Sequence, residues 1–253
     1  MRGHLNTHKN TAPACLAGTA VIMIAALCVS LWLAWTILSA GNFFYPQLHE
    51  LIDIQDTIAE YAPQNIYKSG LDQTTPEQRA DLFRQILHGV NHNGEGLQSI
   101  QYSNAGGDSL GLLLRPAEVT HLRDVARLLA SFRKVAYATL AILVVAVLVF
   151  RKRQLQLPRP TYLLAATAMA VLLAVLIISL TGAKQVFYRL HTVVFPSGHQ
   201  WFFYYEESLM TLLMKAPDIF AWQAGMWVAL AMLVYYVILL LAHFFLGFRN
   251  NAG

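Results

Sequence analysis

Three histidines are the residues in this sequence best suited to chemistry: His121, His191 and His199. An imidazole with an ordinary pKa of ~6.5 can take a proton from an amine or hydroxyl and return it to a leaving group. Two imidazoles can divide the work, one acting as base while the other polarises a carbonyl. Which of the three can meet depends on the elements that carry them.

Other side chains near these histidines could support such chemistry. Asp124 follows His121 by three positions, so on a helix it could fix the imidazole tautomer or belong to a solvated polar face. Arg189 could bind a phosphate, steady an oxyanion or anchor the chain at a membrane interface. Trp201 lies in the aromatic run 195–205, and we interpret it as an anchor at the membrane interface.

The composition indicates an integral membrane protein. Of the 253 residues 56% are hydrophobic and 13% are charged, and the mean hydropathy is +0.45. A helix that crosses the hydrocarbon core needs about 20 mostly apolar residues. We predict an all-α membrane protein with a mostly helical extracytoplasmic cap, which includes a small β-hairpin, and with four transmembrane helices: Cys15–Ala40, Phe132–Phe150, Pro160–Thr181 and Ile219–Phe248.

Basic residues predict the orientation of these helices. Arg2 and Lys9 precede the first helix, Arg249 follows the last, and four basic residues lie in the connection 151–159. The positive-inside rule therefore places both termini and this connection in the cytoplasm. His121 precedes the second helix and His191 follows the third, so both imidazoles are expected at the extracytoplasmic boundary.

This topology divides the chain into five parts. They are a cytoplasmic N-terminus with the first helix, the cap, the second and third helices with their cytoplasmic connection, an outer aromatic and amphipathic segment, and the fourth helix with a cytoplasmic C-terminus: 1–40, 41–131, 132–182, 183–218 and 219–253. The cap is predicted to end in a helix continuous with the second transmembrane helix.

Local patterns predict several elements of the outer parts. One helix is expected over 46–61, and another begins at the capping box Thr75–Gln78 and stops at Gly89. A hairpin is expected around the turn 105–109. An amphipathic helix over 206–215 is expected to lie on the membrane.

Parts of the sequence also suggest two other functions. Lys152 and Arg159, together with the segment Pro196–His199, resemble the first two signatures of the type-2 phosphatidic acid phosphatases. The third signature is absent, and a bilayer of ~30 Å is predicted between Lys152 and His199. A lipid phosphate phosphatase centred on His199 remains one alternative, and a non-enzymatic membrane scaffold is the other. No metal, cofactor or nucleic acid is expected, because the sequence contains no convincing ligand set or basic stripe.

A resemblance to a known family covers nearly the whole chain. The segments Phe187–His191 and His121–Val125, with a further series of positions, resemble the bacterial lipoprotein intramolecular transacylases (Lit): Phe195, Gly198, Trp201, Leu212, Pro217 and Phe220. The resemblance implies transfer of the sn-2 acyl chain of a diacylglyceryl lipoprotein to the amine of its own N-terminal cysteine. It also implies that His121 and His191 are catalytic.

The implied partners are bacterial lipoproteins and membrane lipids, and the implied location is the outer face of the bacterial cytoplasmic membrane. An α-amino group with a pKa of ~7.7–8.0 needs only a weak base. Which histidine is the base stays open, with His191 preferred for its position at the mouth of the aromatic segment. The oligomeric state is not indicated by the sequence.

Overall fold

The computed structural model describes residues 5–247 of the chain. Arg2 and Arg249, used above to predict the orientation, and Phe248, the predicted end of the fourth helix, lie outside these residues. The described helices are α1 Leu5–Ala40, α2 Tyr45–Leu51, α3 Ile54–Tyr61, α4 Pro76–Asn91, α5 Pro116–Lys152, α6 Pro160–Thr181, α7 Ala183–Val194, α8 Leu209–Met214 and α9 Asp218–Gly247. The strands β1 Gln101–Ser103 and β2 Ser109–Leu112 form the predicted antiparallel hairpin.

Four of these helices, α1, α5, α6 and α9, are long and apolar enough to cross a membrane. This confirms the predicted helical membrane fold. At 1.5 Å per residue, the 37 residues of α5 extend about 55 Å, well beyond a hydrocarbon core of ~30 Å. Apart from Arg151 and Lys152 in its last turn, all charged residues of α5 lie before Leu140. They are Glu118, Arg123, Asp124, Arg127, Arg133 and Lys134. Four of these six residues precede Phe132, which is consistent with the predicted membrane span Phe132–Phe150; the bounds of this span stay a prediction.

The chain forms two compact units. One contains the residues up to Trp35, the range Arg133–Thr181 and the residues from Trp227 onward. Its helices pack through an apolar core that includes Ile22, Leu143, Phe150, Tyr235 and Leu239. Polar contacts also join its helices: the Trp227 indole N–H donates to the Leu31 carbonyl over 2.7 Å, and the Thr167 and Tyr235 hydroxyls lie 3.1 Å apart.

The second unit contains Thr36–Phe132 and Gly182–Met226. Its core is apolar and fully buried at positions such as Ile54, Ile58, Leu71, Leu97, Leu113 and Leu212. Tyr45 stacks on Phe83 with ring centroids 4.6 Å apart, and its hydroxyl donates to the Leu213 carbonyl over 2.6 Å. All three histidines singled out in the sequence belong to this unit.

The predicted helix 46–61 is broken into α2 and α3. Asp53 adopts the left-handed conformation with φ 52° and ψ 50°, which aspartate tolerates better than most residues. The break frees the Ile52 carbonyl, which accepts a hydrogen bond from Lys215 Nζ. The prediction of a single helix was therefore wrong because a side chain from a distant part of the sequence satisfies the interrupted backbone.

Two other local expectations also differ from the structure. Helix α4 has the predicted capping box but continues past Gly89 to Asn91. A Cβ at Gly89 would lie 2.5 Å from the Leu97 side chain, so this glycine permits close packing and does not end the helix. The expected amphipathic helix over 206–215 is reduced to α8, whose six residues are all buried. The sequence Leu209–Met214 is apolar on nearly every side, which is typical of a core helix.

Candidate active site

His121 lies in the second turn of α5. Pro116 occupies the first turn, and the backbone N–H of Arg115 donates to the Glu118 carboxylate, which fixes the start of the helix. The imidazole is largely buried and contacts Phe195 and Phe203, with ring centroids 5.0 Å and 6.3 Å away. Its Nδ1 atom is buried and has no hydrogen-bond partner among the described residues.

His191 lies on α7, a separate helix in the outer segment that follows the third predicted transmembrane helix. Gly182 interrupts the chain between α6 and α7 with φ 90° and ψ 111°. The imidazole Nδ1 atom is 2.8 Å from the Phe187 carbonyl oxygen. Because a carbonyl oxygen only accepts, we assign the proton of the neutral imidazole to Nδ1. The lone pair on Nε2 is then available as a base.

The structure brings His121 and His191 together. Their ring centroids are 6.2 Å apart and their planes are inclined by 34°. Phe195 packs against both imidazoles, since its ring centroid is 5.0 Å from His121 and 5.2 Å from His191. A polarised carbonyl and a nucleophile held between the two rings would each be within reach of one imidazole.

Burial determines the charge of both histidines, which lie outside the predicted membrane spans. Loss of water lowers the pKa of His191, although its hydrogen bond to the Phe187 carbonyl opposes the shift. Burial, assisted by the neighbouring His191, lowers the pKa of His121 to about 4, and the Asp124 carboxylate opposes this change. Both imidazoles are therefore neutral at pH 7, which is the form that can accept a proton.

The three supporting residues named from the sequence occupy different positions. Trp201 packs against His191 with ring centroids 4.7 Å apart. Asp124 is buried, and its carboxylate accepts from His199 Nδ1 over 2.5 Å and from Arg127 over 2.7 Å, so it orients His199 and not His121. Arg189 is exposed, and among the described residues its side chain forms no hydrogen bond or ion pair with either imidazole. Residues two apart on a helix face different directions, which separates Arg189 from His191.

Several features of the site escaped the sequence-based reasoning. The pair Asp124 and His199 is 75 positions apart in the chain, and the buried Glu118 carboxylate accepts from the Ser208 hydroxyl across 90 positions. Local periodicity carries no information about such contacts. The segment Pro196–His199 was noticed in the sequence, but as part of a phosphatase signature. Among residues 5–247, no cluster of three or more histidine, cysteine, aspartate or glutamate side chains could hold a metal ion.

Comparisons with known proteins identify the family. Solved structures of the membrane integral lipoprotein intramolecular transacylase Lit from Bacillus cereus share this fold. One, with a histidine-to-arginine substitution, has a TM-score of 0.68 and 14% identity, and the match covers 99% of this chain and 100% of that chain. Another has a TM-score of 0.63 and 15% identity and covers 95% and 99%, respectively.

A search of curated proteins found no match. The model of the family "Lipoprotein intramolecular transacylase Lit" matches residues 19–220, which is most of the chain and includes both histidines of the pair. The chain therefore belongs to the Lit family of lipoprotein intramolecular transacylases, which are membrane enzymes.

Proposed function

We propose that this protein moves the sn-2 acyl chain of a diacylglyceryl lipoprotein to the amine of the lipoprotein's own N-terminal cysteine. The product is the N-acyl, lyso-form lipoprotein. The observation that carries this proposal is the pair His121 and His191, two neutral imidazoles 6.2 Å apart in a site lined with aromatic rings. The family membership supports the same reaction.

The reaction needs one proton to move within the site. The cysteine amine attacks the sn-2 ester carbonyl, so a C–N bond forms and the C–O bond to glycerol breaks. Nε2 of His191 takes a proton from the attacking nitrogen and returns it to the departing sn-2 oxygen. Neutral His121 donates a hydrogen bond to the carbonyl oxygen while charge develops there. General acid–base catalysis of this kind contributes about 10²–10⁴-fold in rate.

No enzyme nucleophile is required by this scheme. The ester and the amine belong to one lipid-modified residue, so binding that residue in a folded-back conformation supplies the proximity that makes the step unimolecular. Trp201 and Phe187 both pack against the His191 ring, with ring centroids 4.7 Å and 4.0 Å away, and restrict its orientation. The protein then contributes a fixed base, a hydrogen-bond donor and an apolar enclosure.

The proposed location of the reaction is the extracytoplasmic face of the bacterial cytoplasmic membrane, with both termini in the cytoplasm. Arg151, Lys152 and Arg153 at the end of α5, with Arg159 before α6, support this orientation through the positive-inside rule. His121 and His191 belong to the other unit, which contains the large loop segment after α1.

A positional label tests the proposal. Purified protein in lipid is mixed with a diacylglyceryl lipopeptide whose sn-2 chain alone carries deuterium, and the products are separated by mass spectrometry. The label should move to the cysteine amine, and a lipopeptide whose amine is already acetylated should not react. Appearance of an N-acyl product without deuterium would contradict transfer from the sn-2 position.

A further inference from the structure

The segment 195–201, which we call the cover segment, supplies two of the aromatic rings next to the histidine pair. Phe195 contacts both imidazoles, and Trp201 packs on His191. Between them, Pro196, Ser197 and Gly198 are exposed and form a turn in which Gly198 has φ 98°. The cover segment therefore joins the site at its two ends and is open to solvent in its middle.

One side-chain contact ties the middle of the cover segment down. His199 Nδ1 is 2.5 Å from Asp124 Oδ2, and the Asp124 side chain is only 4% exposed. Asp124 lies one turn after His121 on α5, so the contact fixes the cover segment close to the catalytic helix. Among the described residues this is the only hydrogen bond that joins residues 195–201 to an element other than α7.

The site has a competing reaction that such a cover can suppress. An ester carbonyl polarised by His121 and placed beside the lone pair of His191 can be attacked by water as well as by an amine. Attack by water would break the same C–O bond, release the acyl chain as a free fatty acid and leave the cysteine amine unmodified. Closed active sites prevent such side reactions by excluding water.

We propose that Asp124 and His199 are positioning residues that latch the cover segment over the histidine pair, so that the amine and not water receives the acyl chain. The proposal rests on the proposed function. The Asp124 carboxylate accepts a hydrogen bond from Nδ1–H of His199. Because His199 directly follows the turn between Phe195 and Trp201, this bond fixes the position of the turn. The latch thus sets the choice between transfer and hydrolysis without touching the substrate.

The chain offers variants that separate this role from general stability. In His199→Ala the latch is absent, whereas in His199→Asn the side-chain amide can place an N–H near the former Nδ1 and keep the bond to Asp124. Arg127→Ala is a matched control, because Arg127 binds the same carboxylate but is 70% exposed, and among the described residues its side-chain hydrogen bond goes to Asp124 and not to the cover segment. Exposed ion pairs contribute little stability.

The readout is the ratio of labelled free fatty acid to labelled N-acyl product from the deuterated lipopeptide. Loss of a hydrogen bond to a carboxylate should raise this ratio about tenfold or more in His199→Ala. The ratio should return toward the wild-type value in His199→Asn and stay unchanged in Arg127→Ala. If His199→Ala does not fold, His199→Gln replaces it, because its amide extends past the Nδ1 position.

A loss of both products in equal proportion, or an unchanged ratio in folded His199→Ala, would overturn the latch and leave the contact a purely structural one. That outcome would not affect the proposed function, since the wild-type protein would still form the N-acyl product. A wild-type protein that forms no N-acyl product would contradict the proposed function itself.

Discussion

The imidazoles of His121 and His191 both lose water on folding, and this loss sets the protonation state in which the site operates. Aromatic rings take the place of water around them, and the polar partner identified for the pair is the Phe187 carbonyl, which accepts from His191. That bond orients one ring and leaves its second nitrogen free. The neutral His191 ring can thus accept a proton without first having to lose one.

The lowered pKa of His191 predicts the pH dependence of the reaction. A base with a pKa below 6.5 keeps its neutral form as the pH falls, and loses activity only when the pH drops through that lowered value. The substrate amine, with a pKa of ~7.7–8.0, is a separate cause of lower rates in acid. Rates divided by the neutral fraction of the amine should therefore stay flat down to about pH 6.5.

Initial rates of N-acyl product formation across the neutral range provide this measurement. The control is a lipopeptide whose amine has a different pKa, for which the uncorrected profile should shift and the corrected profile should not. A corrected rate that already falls as the pH drops toward 7 would mean that the base has a pKa near or above 7, and would contradict His191 with a lowered pKa as the base.

At the scale of elements, the buried contact between Glu118 and Ser208 joins the start of α5 to the start of α8. The Glu118 carboxylate is fully buried, and burial raises its pKa although the Arg115 N–H and the Ser208 hydroxyl bind it. The Ser208 hydroxyl also accepts from the Thr211 N–H over 2.9 Å and caps α8. One serine therefore satisfies groups on two elements.

Ser208→Ala should destabilise the protein markedly. It removes a helix cap and leaves a buried carboxylate oxygen without its donor, which costs about 1–3 kcal/mol for the unsatisfied group alone. The thermal unfolding of detergent-solubilised protein should shift to lower temperature. Ser99→Ala is the control, because the Ser99 hydroxyl is exposed and bonds only to the nearby Gly96 carbonyl. Equal unfolding temperatures for the two variants would contradict this account of Ser208.

Several elements could be predicted from local patterns, and others could not. Hydropathy and proline positions located α6 at its observed bounds, and the capping box located the start of α4. The break at Asp53 and the buried state of α8 depend on contacts or dihedral angles that no short window contains, and the helix α7 within the predicted outer segment was also not predicted. Long-range contacts such as that of Lys215 with the Ile52 carbonyl decide these cases.

At the scale of the whole molecule, the membrane helices depend on close approach at small residues. A Cβ at Gly18 of α1 would lie 2.4 Å from the ring of Phe150 of α5, which is almost fully buried. Small residues at helix contacts are what permit helices to pack closely in membranes. Gly18 thus lies at a tight contact between α1 and α5. The sequence shows both helices to be apolar but does not show where they touch.

Gly18→Leu should therefore destabilise the helix bundle by about 1–3 kcal/mol, the usual cost of overpacking a filled site. The matched control is Gly225→Leu in α9, because an added Cβ there meets no atom within 4 Å. Unfolding temperatures in the same detergent should separate the two variants. If Gly225→Leu were the more damaging change, the proposed packing of α1 against α5 would be wrong.

For the molecule as a whole, the sequence predicted a helical membrane protein, and the family resemblance predicted the Lit family, which the family match confirms. The predicted topology also placed His121 and His191 at the same membrane boundary, because each lies next to the outer end of a predicted membrane helix. The two residues were therefore expected to be able to meet. The partner of Asp124 was not predictable in this way. Its neighbour in the sequence pattern was His121, but in the fold its carboxylate binds His199.

The central claim is that His121 and His191 together carry out the acyl transfer. The most direct measurement is mass spectrometry of lipoprotein N-termini from cells that express wild-type protein, His121→Ala or His191→Ala. His92→Ala is the control, because His92 is exposed and stacks only on His88. The N-acyl lyso form should fall by about 10²–10⁴-fold in both variants and remain in the control. Persistence of the N-acyl lyso form in His121→Ala and His191→Ala cells would contradict the claim.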